Sequence, residues 1–485
     1  MHPALLISGL CTTAIWIALL VISPEFAWEI ENDDRPTGRF LAAHFCAFTA
    51  MAVAGWFCVK RNSPVPDSRK NLVLLVGFAV LFRAILIPST PIHESDFYRY
   101  QWDGKVAKAG INPFLYEPDA LLLWEEEITL PKRDGFLIRK GRKFSDEEIP
   151  LLEQLAALRD DNSELFDRVS HKPVTTIYPP MAQAVFWFSS TLFGDSLIGL
   201  KIVLALFDLG VIAVTVGLLH MLGISRLGVI FYAWNPLVLK EFSNSAHYDC
   251  VPIFFSMLAV FLAVRGAGKA KTALALAAGT LAKYFSVLLV PVLLFDSPKK
   301  WLKSVGPIAI FAGAVVVGFL PFWIWNEAGI ARVFAGLEAY NRHWEYNPGV
   351  FAMIRNLTGD FVLAKKIVAV LLVLVVAIFS LIRKPLAWKA FAVTGALFIL
   401  SPTAFPWYFA WVLPFLCVFP RVSWLLLGGL LPIHYLDFHT AEAIPFAHAE
   451  FWHIRWLSWI CWGAFGLAAV FESTGLVRRT YPVGS

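Results

Sequence analysis

Two carboxylates seven residues apart, Asp96 and Asp103, stand in the stretch "HESDFYRYQWDGKVAKAGINPF" (93–114), directly after an apolar run that ends at Pro91. On a helix that spacing is two turns, about 10 Å along one face, with His93 and Tyr100 on the same stripe. An ionised carboxylate at the edge of a membrane segment can take a proton from a hydroxyl nucleophile. Arg99 precedes Asp103 by four residues, the spacing of an intrahelical ion pair, and Glu94 stands two residues before Asp96. Gly110 then ends the helix and "NPF" makes the following turn. The stretch is expected to be a short amphipathic helix on the membrane surface, one face acidic and aromatic. Asp96 is the candidate base, and the alternative is that Ser95 or Asp96 caps the helix. Asp103 is the second catalytic candidate, or else the partner of Arg99 that orients the helix.

Cations and aromatics recur together elsewhere, beside or within apolar runs. Lys283 lies within "ALALAAGTLAKYFSVLLVPVLL" (273–294), an expensive position unless the ammonium meets a polar cavity or snorkels to the surface. His247 and Asp249 stand in "NSAHYDC" (244–250), a His-x-Asp pair too weak a signal for a metal site. "NRHWEYNPG" (341–349) places Arg342, His343, Trp344, Glu345 and Tyr346 together, and "SPTAFPWYF" (401–409) carries Trp407 and Tyr408. Rings beside charges suit stacking on sugars, the alternative being an interfacial aromatic belt.

The elements that position these residues are read from hydropathy. Of 485 residues 58% are hydrophobic and 16% charged, the composition of a polytopic membrane protein. Apolar spans are expected at 4–24, 40–59, 72–90, 198–219, 227–243, 251–265, 272–296, 304–325, 361–382, 385–401, 405–420, 423–437 and 452–472. Basic connections at 59–70, Arg226, 265–271, 296–303, Arg383–Lys384, Arg421 and Arg478–Arg479 can share one side, the cytoplasmic one by the positive-inside rule. Parity then makes 272–296 a hairpin of two short helices with Lys283 near the opposite face. The expectation is an all-α polytopic fold of about 12–14 transmembrane helices with both termini inside. Almost every unusual polar residue falls on the other side: the long loop 91–197, then 244–250, 326–360, 401–409 and 436–453. Six scattered cysteines suggest no disulfide framework or metal cluster. The first apolar run is too long for a signal-peptide core and is expected to be a retained helix.

Taken in order, Asp96, Tyr98, Asp103, Gly110, "NPF" (112–114) and "YPP" (178–180) resemble the first lumenal loop of GT-C glycosyltransferases. The nearest likeness is to the polyprenyl- or dolichyl-phosphate-mannose-dependent mannosyltransferases, including the one that adds the first mannose to glycosylphosphatidylinositol. "WNPLVLKEFSNSAHYD" (234–249) and "SPTAFPWYF" resemble elements of bacterial members of that group. Two features depart from it. The first acidic pair reads Glu-x-Asp, and a charged insertion (about 115–177) separates "NPF" from "YPP". Helical spacing of Leu and Ile in its second half suggests one or two surface helices capping the site.

The resemblance implies an integral-membrane enzyme that moves a hexose, mannose by preference, from a polyprenyl-phosphate donor to an acceptor hydroxyl outside the cytoplasm. It implies inverting displacement without a metal or other cofactor, in a bacterial inner membrane with the site on the periplasmic face. Asp96 and Asp103 would be catalytic, Lys283, Arg99, His247 and Arg342 would hold the donor phosphate, with Arg332 and His343 as further candidates. Glu94, Tyr98, Tyr178, Asp249, His343, Trp344 and Tyr408 would bind sugar or acceptor. The chain divides into N-terminal membrane helices (1–90), a catalytic loop (91–197) and a membrane core (198–485). No P-loop, nucleophile elbow or dinucleotide fingerprint is present, which suits a donor arriving within the membrane. Rival readings are a lipid or glycolipid flippase, a GT-C enzyme using lipid-linked arabinose or aminoarabinose, and a non-catalytic scaffold of envelope assembly. The flippase reading lacks an internal repeat between the halves.

Overall fold

A computed structural model of the chain describes residues 2–60, 63–121, 144–295, 297–437 and 452–474. Those residues are helical with no strand among them, and extended backbone pairs in an isolated bridge between Tyr346 and Thr403. A chain in lipid must satisfy each backbone N–H and C=O within itself, which helices do. Among the described residues, five helical segments are long and apolar enough to cross a membrane: Pro3–Phe26, Thr37–Val59, Leu197–Met221, Leu302–Glu327 and Phe361–Leu381. The protein is therefore an all-α membrane protein.

Several other expected spans are broken rather than continuous. Residues 227–243 form a 3₁₀ turn, two short helices and a π-turn at Leu239–Asn244. The 405–420 span splits into Pro406–Phe409 and Leu413–Val418, and 423–437 into Val422–Leu430 and the 3₁₀ stretch Leu431–Leu436. Pro236, Pro406, Pro414 and Pro432 each sit in the first turn of a new piece. Proline lacks the N–H that would continue the preceding helix, so each restarts the chain in a new direction. The 272–296 segment is two pieces as well. The helix Lys269–Ala282 ends at Lys283, whose backbone is extended, and short helical turns run on to Leu294. Lys269 Nζ donates to the Leu294 carbonyl at 2.9 Å and closes the two pieces into a hairpin.

Polar clamps within the apolar core fix these broken elements. Arg83 Nε meets Asp208 Oδ2 at 2.7 Å, both fully buried, and Arg83 Nη1 donates to the carbonyls of Ala79 and Ala233 at 2.9 Å. Tyr232 O–H donates to the other Asp208 oxygen at 2.8 Å. This pair joins the third helix, Arg69–Leu86, to Leu197–Met221 and to the broken 226–244 segment. Tyr232→Phe is expected to lower stability by about 1.5–3 kcal/mol, the cost of removing a hydrogen bond from a buried charge. Thermal unfolding of the detergent-solubilised chain checks it. Asn244 holds the entry to the 93–114 stretch, donating to Ser89 Oγ and the Thr90 carbonyl at 2.7 Å and accepting from the Ile92 N–H at 3.0 Å.

The helix Asp96–Lys108 forms where expected, with Arg99 Nε 2.9 Å from Asp103 Oδ1 and Gly110 at φ +82°. It is packed on most of its faces rather than lying on a surface, however. Arg99, Tyr100, Trp102, Asp103 and Val106 are all buried. Tyr100 stacks on Phe186 of the helix Pro180–Phe193 at 4.7 Å, and a Cβ at Gly104 would lie 2.6 Å from the Phe186 carbonyl oxygen. On the other flank the insertion covers it. Leu152, Leu155 and Phe166, from the helices Ile149–Asp160 and Ser163–Asp167, cluster with Trp102, Val106 and Ile111. The rest of the insertion (122–143), most of the expected loop 436–453 and Arg478–Arg479 lie outside the described residues.

Candidate functional site

One cavity of about 2480 Å³ collects polar segments from across the chain. Its walls come from residues 26–35, 90–100, 167–179, 248–249, 283–288, 337–361, 397–411 and 458–465. These include parts of the loops 91–197, 244–250, 326–360 and 401–409 that charge placement put on one side.

Asp96 faces this cavity from the first turn of its helix. Glu94, not Ser95, supplies the cap: its Oε1 accepts the N–H groups of Ser95 and Asp96 at 2.8 and 2.7 Å. Glu94 Oε2 lies 2.9 Å from His247 Nε2, and His247 Nδ1 lies 2.9 Å from Glu241 Oε2. Tyr435 O–H donates to Glu241 Oε1 at 2.6 Å, Lys240 Nζ is 3.2 Å from Glu241, and His247 stacks on Trp407 at 4.2 Å. A buried imidazole bracketed by two carboxylates is held protonated. Burial opposes that charge, but Glu94 and Glu241 lift His247 to about 10. Burial likewise opposes the Glu94 carboxylate, yet the adjoining His247 holds it at about 2. Asp96 goes the other way. Burial, then the Glu94 charge, raises it to about 7, against the positive charges of His247 and Lys283 and a 3.4 Å hydrogen bond from Ser170 Oγ. Two carboxylates two residues apart thus differ in proton affinity, the pattern of an ionised neighbour beside a poised acid–base group.

Glu94, Asp96 and His247 each bring one ligand-type atom within 4.8 Å of the others, a grouping among the described residues that could hold a metal ion. In the structure, carboxylates engage both His247 ring nitrogens.

Lys283 enters the same cavity at the helix break that the hairpin creates. Its Nζ lies 2.6 Å from Asp249 Oδ1, which also accepts the Trp411 indole N–H at 2.7 Å. The ammonium sits 4.3 Å over Tyr408, 5.0 Å over Tyr248 and 5.3 Å over Trp411, an aromatic cage. Asp249 Oδ2 is buried with no hydrogen-bond partner among the described residues, a carboxylate oxygen still open to a donor. Tyr340 and Tyr408 hydroxyls meet at 2.9 Å, and Trp344 packs on Tyr340 at 5.2 Å.

The cavity therefore unites Glu94, Asp96, Tyr98, Tyr178, Asp249, Lys283, His343, Trp344 and Tyr408 of the expected site residues. Asp103 is not among its walls: buried, it accepts from Arg99 and from Gln183 Nε2 at 3.0 Å, the frame-holding alternative. Arg99 touches the cavity but spends its guanidinium on Asp103 and the Val174 carbonyl at 2.9 Å, so it is engaged structurally. His247 lies behind Glu94, out of the walls. Arg342 is exposed and paired with Glu338 at 2.6 Å, and Arg332 donates to the Leu115 carbonyl at 3.1 Å; neither lines the cavity. Tyr340, Trp411, Ser170 and Arg355 line it without having been singled out. Trp411 sits in an apolar run indistinguishable from a membrane helix, and Ser170 in the insertion, so neither carried a sequence signal.

The chain matches no protein-family model, no curated protein and no solved structure.

Proposed function

We propose that the protein is a membrane glycosyltransferase that moves a hexose, mannose by preference, from a polyprenyl-phosphate donor to an acceptor hydroxyl, with inversion and without a metal. One observation carries the reading. A carboxylate poised near neutral pH, Asp96, and a caged cation, Lys283, line one cavity. A base on one wall and a cation on another are what displacement of a phosphate from a sugar requires. The same cavity has apolar flanks at Val287, Leu288, Phe361, Leu397, Trp462 and Phe465, a surface compatible with an isoprenoid chain. Asp249, with its open carboxylate oxygen, and Trp344 and Tyr408 suit the sugar. The likeness of the 93–114 and 178–180 motifs to GT-C mannosyltransferases supports the donor class. On this reading the cavity opens on the extracytoplasmic side, in bacteria the periplasmic face of the inner membrane.

The test is transfer in proteoliposomes, with polyprenyl-phosphate [³H]mannose as donor and release of polyprenyl phosphate as readout. Transfer is expected, and it should survive exhaustive chelation. Activity lost to a chelator and restored by a divalent cation would move Glu94, Asp96 and His247 from base and support to metal ligation. Translocation of the lipid without sugar transfer would replace the reading with a flippase.

A further inference from the structure

One polar lobe of the cavity wall is built by the connection between the first two membrane helices, from Trp28 to Arg35. Trp28 of that connection is about half exposed, at 49%, yet its indole lies edge-on to Tyr98 at 5.7 Å and is flanked by the Arg168 guanidinium at 5.9 Å. The ring is thus pre-oriented at the cavity wall rather than free in an interfacial belt. The cations of this lobe are already engaged. Arg168 pairs with Glu29 and Glu164, each at 2.7 Å, and donates to the Tyr98 hydroxyl at 3.2 Å. Arg35 gives its guanidinium to the carbonyls of Ile30 and Ala27 at 3.0 and 3.2 Å. Two of its carboxylates are not: Glu31 and Asp33 line the cavity with no ion pair among the described residues. The lobe borders the base, because Asp96 and Tyr98 line the same cavity and Ser170, two residues beyond Arg168, donates to Asp96 at 3.4 Å.

We infer that this lobe is the acceptor subsite and that it takes an uncharged glycan. Trp28 offers a flat apolar face to one side of a sugar ring, and Glu31 and Asp33 accept from its hydroxyls. Arg168 is neutralised by Glu29 and Glu164, and the two carboxylates Glu31 and Asp33 outnumber the uncompensated charge of Arg35, so the lobe repels a phosphorylated or uronic-acid terminus and discriminates by charge as well as by shape. The word acceptor rests on the transfer reading above; the lobe's preference for a neutral sugar does not.

The experiment is saturation-transfer NMR on the full chain in nanodiscs, with mannotriose as the neutral probe and trigalacturonate as the anionic one. Wild type is expected to bind mannotriose and not trigalacturonate. Trp28→Ala is expected to weaken mannotriose about tenfold, as loss of an aromatic anchor does. A Glu31→Gln, Asp33→Asn double variant, which adds no bulk, should lose part of that affinity and admit the anionic probe. Unchanged mannotriose binding in both variants, absent binding in wild type, or equal binding of the two probes overturns the subsite. A chain that transfers mannose from polyprenyl phosphate but fails these measurements loses the subsite and keeps the transfer reading. One that binds mannotriose through Trp28 but transfers nothing keeps the subsite and loses the transfer reading.

Discussion

Asp96→Asn is expected to lower sugar transfer about 10²–10⁴-fold, the span that a positioned general base contributes. The amide keeps the shape and the bond from Ser170, so donor binding and unfolding temperature should stay close to wild type. Transfer kinetics with the lipid donor titrated, read beside thermal unfolding, make the check, and near-normal transfer by the variant would remove Asp96 from the reaction. The pH profile adds a second handle. A base works deprotonated, and burial with the Glu94 charge lifts Asp96 from 3.8 to about 7, so the rate should rise with pH through about 7 and then level. Stability moves oppositely. A carboxyl with raised affinity binds a proton more tightly in the folded chain, so its contribution is whole below about 4 and is lost as pH rises through about 7. Glu94→Gln removes the like charge and should shift the rise in rate to lower pH. A profile that stays in place in Glu94→Gln would leave burial alone as the cause.

What the sequence made legible was local, and what it hid was mostly long-range. Arg99 and Asp103 are one helical turn apart and pair as their spacing requires. The Lys283 break follows from the parity of basic loops, which left no room for a single span. Helix interruption at Pro236, Pro406, Pro414 and Pro432 was readable in principle, because proline cannot continue a hydrogen-bonded helix, but the apolar runs masked it. The bracketing of His247 was not readable. Its partners Glu94 and Glu241 lie 153 and 6 residues away, and no spacing rule joins a loop to a π-turn. The same holds for the Trp411 indole that donates to Asp249, 162 residues distant. The helix Asp96–Lys108, expected on the membrane surface with one acidic face, is instead packed on most sides because its charges are consumed internally: Arg99 turns toward Asp103 and two backbone carbonyls, leaving Asp96 to the cavity. A buried polar group bonded in this way looks, in sequence, the same as an exposed one.

Lys283→Met is expected to reduce kcat/KM about 10²–10³-fold, comparable to removing one preorganised donor from a developing negative charge. The substitution also strands Asp249, whose side chain is 1% exposed and whose Oδ1 would keep only the Trp411 indole. Breaking a buried pair from one side costs about 3–5 kcal/mol in stability, so lost activity in the single variant has two possible origins. The double variant Lys283→Met, Asp249→Asn separates them. With both charges gone, no buried carboxylate is left unpaired and unfolding should return toward wild type, while transfer stays low because no ammonium meets the phosphate. Lys283→Arg keeps the charge but must fit a planar group into the cage of Tyr248, Tyr408 and Trp411, so an intermediate rate is expected. Recovery of both stability and transfer in the double variant would reduce Lys283 to the structural partner of Asp249. Recovery of stability alone, with weakened donor binding, is the result a phosphate ligand requires.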